Sequence, residues 1–342
     1  KLNMSLKNLS VKIKIPKFFK DKLKDKRISN IYNKFEKSLN INQSFAVAVS
    51  GGPDSLALAF LAKVYSMKYK VQSKFFIVNH KLRPESTKEA KNIKKLLKKF
   101  MIDLEILTWN GSKPTSNIQS IAREKRYELL FKRCDDYEIK SILLGHHQDD
   151  LFENFLIRML RGSGLKGLVS LDIRNKIANK KLLRPLLEQR KEDLVYLTKN
   201  TFSYFVKDPS NYDIKYKRIK IRNLIDKLKK EGLDDKKFAN TIKNLKRSNK
   251  VVNYYTDENL KNNSFHFPEL VLNDEFFNQP HEIVLRGLSE SIKRIGKKYY
   301  SVRGKKLNNI IQYIENNQTF RVTLGGCVIE RVNLSTIITK EH

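Results

Sequence analysis

Two short stretches bring together residue types that can do chemistry. Ser50-Gly51-Gly52-Pro53-Asp54-Ser55 packs two glycines, two hydroxyls and a carboxylate into six residues. Glycine tolerates φ > 0 and lets the backbone come close to a phosphate. The serine hydroxyls are donors for the same phosphate, and Asp54 is placed to hold a magnesium ion beside a polyphosphate. The second stretch runs Gly145-His146-His147-Gln148-Asp149-Asp150-Leu151-Phe152-Glu153-Asn154. Asp150, Glu153 and Asn154 stand at i, i+3 and i+4 and so share one helical face. Acidic residues in a first helical turn often do no more than complement the helix dipole. Two histidines followed at once by three carboxylates form a denser group, suited to holding Mg²⁺ and receiving an ammonium.

The elements around them must place both groups together. Phe45–Val49 is a short apolar run and reads as a buried strand, and Leu56–Met67 reads as an almost wholly apolar helix. Strand, glycine loop and helix make an anion site, because the first helical turn leaves backbone N–H groups without partners. The loop lacks the Gly-Lys-Ser/Thr ending of a Walker A sequence. Further strands are expected at Phe75–Val78, Leu104–Trp109, Ser141–Leu144 and Leu182–Leu187. Ser86 and Glu89 suggest a capping box, and helices are expected at 117–137, 148–161 and 191–199. In the 148–161 helix, Phe155, Leu156 and Met159 are the expected packing face. The alternation predicts an α/β fold, a parallel sheet with helices on both faces. Ligands of such sheets sit at the carboxyl ends of strands, so Asn79-His80 and His146-His147 should share a rim with the glycine loop. Gly162-Ser163-Gly164-Leu165-Lys166-Gly167 matches GxGxxG but follows a helix, so a dinucleotide reading is rejected and Gly162 is read as a helix C-cap.

Composition narrows the partners. Lys+Arg number 69 against 36 Asp+Glu, a net charge of +33 that points to a polyanion. Part of the excess is general, since Lys, Asn and Ile are abundant throughout. Nucleic acid is favoured over a membrane surface, because no segment sets a wide apolar face beside its lysines, and no run is long and apolar enough to span a bilayer. Cys134 and Cys327 lie far apart and form no metal-binding spacing, which fits a reducing cytoplasm. Residues 1–40 carry 12 Lys/Arg and read as a solvated basic lead-in. Residues 213–250 hold 14 Lys/Arg and 5 Asp/Glu at helical spacing, a basic arm suited to a nucleic-acid backbone. Residues 251–280 look polar and irregular, before helices at 282–295 and 305–316 and a β-rich tail turning at Gly325-Gly326. The expected organisation is a lead-in (1–40), a catalytic domain (41–225) and a smaller, mainly helical C-terminal domain with a short β-rich tail (226–342). The sequence leaves the oligomeric state open, a homodimer included.

The hexapeptide Ser50–Ser55 resembles the PP-loop of the N-type ATP pyrophosphatase superfamily, whose members cleave ATP between the α and β phosphates. Collinear stretches narrow this further: VNHKLRPES (78–86), AREKRYELL (122–130), GHHQDDLFENFLIRMLRGSGLKGL (145–168), LRPLL (183–187), VKDPSNYDIKYKRIKIR (206–222) and TLGGCVIER (323–331). Together they resemble the tRNA(Ile)-lysidine synthetase family. The resemblance implies ATP and Mg²⁺ as cofactors, L-lysine as the second substrate and a CAU-anticodon tRNA(Ile) as the partner. The wobble cytidine would be adenylated at its C2 oxygen, and the lysine amine would then displace AMP. It further implies ATP contacts from Ser50, Gly51, Gly52, Pro53, Asp54 and Ser55, with His80, Arg83, Arg123 and Gly145, and Mg²⁺ at Asp54 and Asp150. Asp54, His146, Asp150 and Glu153 are the implied catalytic set, with His146 open between base and metal partner. Arg83 and Arg123 stay open between ATP and anticodon phosphates. Asn154 departs from the family's threonine, and the further C-terminal domain of some members is not expected here. A PP-loop tRNA thiolase and a non-catalytic basic RNA-binding protein are the competing readings.

Overall fold

The computed structural model describes residues 15–112, 114, 116–177, 179–206, 217–266, 269–297, 302 and 304–341. The DPSN string (208–211) and the first fourteen residues therefore lie outside the described residues. The chain divides into two compact units, Lys1–Ser163 with Ser170–Leu233, and Gly164–Val169 with Asp234–His342.

The first unit is built on a six-stranded sheet: β1 (Phe45–Val49), β2 (Ser73–Asn79), β3 (Leu104–Thr108), β4 (Ser141–Leu143), β5 (Arg174–Ile177) and β6 (Lys180–Leu183). Their spatial order is β3-β2-β1-β4-β6-β5. All neighbours are parallel except the edge strand β5, which runs antiparallel to β6. In register, Val47 lies between Phe75 of β2 and Leu143 of β4. The strand alternation sends Phe45, Val47 and Val49 into one apolar cluster and Ala46 into another. The first cluster also takes side chains of α1 (Lys17–Leu23), α2 (Lys26–Ser38), α3 (Pro53–Tyr69), α4 (Ser86–Lys98) and α8 (Lys191–Phe202). The second takes Tyr127, Leu130 and Cys134 of α5 (Ile118–Asp136). The architecture is thus the parallel sheet with helices on both faces that the sequence predicts. Helix α3 is buried nearly all round, from Ser55 to Ala62 without a break, as an interior helix must be.

Three local expectations change. Residues 26–38 are not a solvated helix: Ile28, Ile31, Tyr32 and Phe35, spaced i, i+3, i+4 and i+7, are buried in the main core. Their lysines occupy the remaining faces and masked this stripe in the composition. Ser86 is the first residue of α4, not its cap. Its hydroxyl donates to the Arg83 carbonyl at 2.8 Å, and Glu89 pairs with Arg83 at 2.9 Å. Met159, expected to pack, is exposed.

The second unit holds α10 (Asp235–Asn263), α12 (His281–Ile295), α13 (Gly304–Glu315) and an antiparallel sheet in the order β7-β8-β11-β10-β9. Its members are β7 (Ser264–His266), β8 (Leu270–Leu272), β9 (Arg321–Leu324), β10 (Cys327–Val332) and β11 (Ser335–Lys340). Gly325 (φ +66°) and Gly326 (φ +78°) close the β9–β10 hairpin, where two successive positive φ values favour glycine. The stretch 251–280 is more regular than expected, since α10 continues to Asn263 and β7 and β8 extend the sheet. Strands of three residues are too short to show periodicity.

Candidate active site

The glycine loop follows β1, the strand at which the order of the sheet reverses, with β2 on one side and β4 on the other. A crevice opens at the carboxyl ends of strands at such a reversal. Gly51 sits at φ +85°, and a Cβ there would come within 3.1 Å of Ile93 and 3.2 Å of Val206. The loop is held from both ends. The Val206 N–H donates to the Gly51 carbonyl at 2.9 Å, and the Thr198 hydroxyl donates to the Pro53 carbonyl at 2.7 Å. Inside it, the Ser50 N–H and hydroxyl donate to Ser55 Oγ at 3.0 and 3.1 Å, and the Ser55 hydroxyl donates to the Gly52 carbonyl at 3.0 Å. Pro53 opens α3 with Gly52 as N-cap, so the helix begins with Asp54 in its first turn.

Strand β4 delivers Gly145, His146 and His147 beside this loop. A Cβ on Gly145 would lie 3.3 Å from the backbone of Asp54 and Ser55, so only glycine allows so close an approach without displacement. His147 then caps α6 (Gln148–Met159) and is 3% exposed. Its Nε2 lies 3.6 Å from Asp54 Oδ2 and 3.5 Å from Asp150 Oδ2, and its backbone N–H donates to Asp150 Oδ2 at 3.1 Å. His147 therefore joins the carboxylate of the glycine loop to the first carboxylate of the acidic face. One turn on, Glu153 is 2% exposed and accepts from Arg222 Nε of α9 (Lys217–Lys230) at 2.5 Å. Asn154 Nδ2 donates to Ser170 Oγ at 3.4 Å, so the amide has a structural partner of its own.

Electrostatics separate these groups. Burial opposes charge on His147, but Asp54, Asp150 and Asp149 outweigh it and raise its pKa above 6.5. Burial pushes the Asp150 carboxyl up, yet His147, His146 and the His147 N–H bring it below 3.8. Burial raises Glu153 above the ordinary carboxylate value even with Arg222 pulling down. Burial, against the pull of Asp150 and with the push of Arg184, Arg123 and Arg218, lowers His146 to about 3. His80, at the end of β2, is lowered to about 4 by burial and by Arg126.

The signs fix a pH dependence. The Asp150 contribution to stability is complete above its unfolded value near 3.8 and is lost as pH falls through the folded value. The His147 contribution is complete below 6.5 and is lost as pH rises through its raised folded value. Raising the pH from about 6 to about 9 is therefore expected to lower the melting temperature of the wild type more than that of His147→Gln. Equal slopes in paired thermal melts would mean that the imidazole carries no charge.

Of the residues singled out in the sequence, Asp54, Gly145, Asp150 and Glu153 lie in this connected group. Arg83 is paired with Glu89, while the Arg123 side chain donates to the Tyr127 hydroxyl at 3.4 Å. His147 was named only as a member of the histidine pair expected on this rim, with no site role of its own, and Arg222 was not singled out. The position of His147, directly before a helix and three residues before Asp150, is the capping signal that points to it. Arg222 stands 69 residues from Glu153 and has no local signal.

A divalent cation fits this group. Asp54 Oδ1 is buried without a hydrogen-bond partner, and two carboxylates converge on His147. Among the described residues no set of three or more His, Cys, Asp or Glu makes an all-protein metal cage. Magnesium needs only one or two carboxylates when phosphates supply the rest. Persulfide chemistry fits poorly: Cys134 is buried in the sheet core with its thiol pushed up to about 12, and Cys327 is buried in the second unit.

Comparison with known proteins agrees with this geometry. A family model described as a PP-loop domain matches residues 21–228. The tRNA(Ile)-lysidine synthase of Wolbachia pipientis wMel is 34% identical over 307 residues, covering 88% of this chain and 71% of that protein. That of Rickettsia akari (strain Hartford) is 31% identical over 334 residues, covering 91% and 74%. Among solved structures, the U34-tRNA thiolase NcsA from Methanococcus maripaludis superposes with a TM-score of 0.56 at 20% identity. The superposition covers 65% of this chain and 78% of that one, a likeness of fold. With the PP-loop domain matched over most of the first unit and relatives above 30% identity along most of the chain, the chain belongs to the tRNA(Ile)-lysidine synthase family.

Proposed function

We propose that this chain is an ATP-dependent ligase that adenylates C2 of the wobble cytidine of CAU-anticodon tRNA(Ile), then attaches L-lysine to give lysidine, releasing pyrophosphate and AMP. The observation that carries the reading is the series of close approaches from Asp54 through His147 to Asp150, with Glu153 one turn beyond. It joins a phosphate-binding loop to an amine-binding face. The open N–H groups of the loop and the first turn of α3, with the Ser50 and Ser55 hydroxyls, cradle the phosphates of ATP. Asp54 and Asp150 are the residues that would hold Mg²⁺, which neutralises charge on the departing pyrophosphate.

In the second step the lysine ε-amine must lose a proton, since it is an ammonium at neutral pH. Asp150, held ionised, attracts the ammonium. Glu153, raised by burial, is a stronger base than an ordinary carboxylate and takes the proton. His146, lowered to about 3, is neutral and weakly basic, so its place is in donating or accepting a hydrogen bond rather than removing that proton. The cytidine has to leave the anticodon stack to reach the pocket. His80, Arg83 and Arg123 remain candidates for the nucleotide and anticodon phosphates. The site of action is the cytoplasm, where ATP and tRNA meet.

The test is direct. The chain is incubated with ATP, radiolabelled lysine and either tRNA(Ile) or tRNA(Met), and the digested RNA is examined for the labelled nucleoside. Label in tRNA(Ile) alone is the expected result, and none in either tRNA would refute the proposal. The basic arm makes a separate prediction. Lys227, Lys230 and Lys237 are exposed, and reversing all three to Glu should weaken tRNA affinity. The slope of log K against log salt should flatten by roughly 0.7–0.9 for each phosphate the protein no longer neutralises. An unchanged slope in a filter-binding titration would leave the three lysines as solvated side chains.

A further inference from the structure

Helix α10, in the second unit, carries an exposed face that no residue of the candidate site belongs to. Its rotation is fixed by the inner face. Ile242 is buried, Arg286 Nη1 donates to Asn249 Oδ1 at 2.7 Å and Asn253 Oδ1 at 2.8 Å, and Asn259 Nδ2 donates to the Phe276 carbonyl at 3.0 Å. With that face turned inward, helical geometry puts Lys243, Arg247, Lys250, Tyr254 and Lys261 in one outward row about 27 Å long. All five are exposed. Tyr254 is 61% exposed, with Tyr255 at 58% and Val251 at 56% beside it. The two tyrosine rings meet edge to face, centroids 5.5 Å apart at 82°. That arrangement leaves a flat aromatic face of the pair uncovered by the other ring.

We propose that this row is a binding surface for unpaired RNA, in which Lys243, Arg247 and Lys250 follow the phosphates and Tyr254 takes a stacked base. The charge order along the helix supports the division of labour. Three cations precede Tyr254 at spacings of about 4.5–6 Å, comparable to a strand's phosphate spacing. Asp257 and Glu258 follow it and repel phosphate, so the chain meets the tyrosine through a base instead. Only a base with a free face can use such a platform, which selects loops and single strands over duplex. A membrane is disfavoured, because the exposed apolar area is confined to Val251 and the tyrosine rings amid lysines. The surface itself rests on the coordinates of α10. That its RNA is the substrate tRNA rests on the function proposed above.

Fluorescence anisotropy of the full chain with a labelled single-stranded 12-mer and a blunt duplex of equal length tests this without ATP or lysine. Tyr254→Ala should weaken single-strand binding by about 5- to 150-fold and duplex binding by much less. Tyr254→Phe should bind as the wild type, and ATP–pyrophosphate exchange measured at saturating tRNA should be unaltered in both. Lys250→Gln should lower the salt slope, and Tyr254→Ala should not. Single-strand affinity within twofold of wild type in Tyr254→Ala would overturn the proposal. So would equal losses for single strand and duplex, or sedimentation showing a dimer that Tyr254→Ala dissociates while RNA affinity stays unchanged. If the wild type binds tRNA tightly and Tyr254→Ala changes nothing, only this surface is wrong. If the wild type binds no RNA, the proposed function fails with it.

Discussion

Asp54→Asn is expected to reduce ATP–pyrophosphate exchange by at least ~10²-fold while leaving tRNA affinity nearly unchanged. The substitution keeps the shape of the side chain and removes its charge, so the loop should still form. Its Oδ2 lies 3.6 Å from His147 Nε2, and its Oδ1 is buried without a partner. A buried carboxylate oxygen with no donor is costly unless a ligand supplies the missing interaction. Loss of that interaction falls on the step in which pyrophosphate leaves, which the exchange assay isolates. Thermal melts in parallel separate a chemical defect from unfolding, since the fold around α3 is held by apolar packing from Leu56 onward. Exchange at the wild-type rate would remove Asp54 from the site.

Glu153→Gln should separate the two half-reactions. Adenylation, read as pyrophosphate exchange, is expected to persist. Transfer of lysine is expected to fall by about 10²–10⁴-fold, the usual weight of a positioned general base. Gln is the better probe than Ala because Arg222 donates to Oε1 at 2.5 Å, and an amide oxygen still accepts that hydrogen bond. Removing one member of a fully buried ion pair costs about 3–5 kcal/mol. Arg222 is 30% exposed, and with the hydrogen bond retained the loss of stability should be well below that range. An adenylated tRNA that accumulates in the variant and disappears on adding wild-type enzyme would be the clearest sign. Normal lysine incorporation would move the base elsewhere on α6.

The two variants probe the ends of one connected group, and His147 is the link between them. The capping position marks His147 in the sequence, but nothing there tells which of the two adjacent rings is charged. In the folded chain the two differ sharply. Burial, helped by Arg184, Arg123 and Arg218 and opposed by Asp150, drives His146 down to about 3, while the carboxylates of Asp54, Asp150 and Asp149 overcome burial and raise His147. The identical ring thus takes opposite charge preferences at adjacent positions. The cause is the neighbours each ring meets: Asp54 approaches His147 Nε2 at 3.6 Å, whereas the charges that lower His146 are arginines.

Where chemistry depends on residues near in sequence, the amino-acid order alone determined it. The glycine loop, its strand and apolar helix, the shared face of Asp150 and Glu153, and the α/β alternation are all local patterns set by strand and helix periods. Even the common rim of β1 and β4 follows from topology. Tertiary structure decided the rest, because it depends on distance between remote residues. Arg222 reaches Glu153 across 69 positions, Val206 clamps Gly51, and Gly145 lies so close to Asp54 that a Cβ would meet its backbone at 3.3 Å. The stripe of Ile28, Ile31, Tyr32 and Phe35 was present in the sequence but hidden by its lysines until the core showed which face was covered. Burial then shifted His146 and Glu153, and the carboxylates gathered around His147 overcame it there; both burial and such gathering are properties of the packed chain, since no residue carries them in its own side chain.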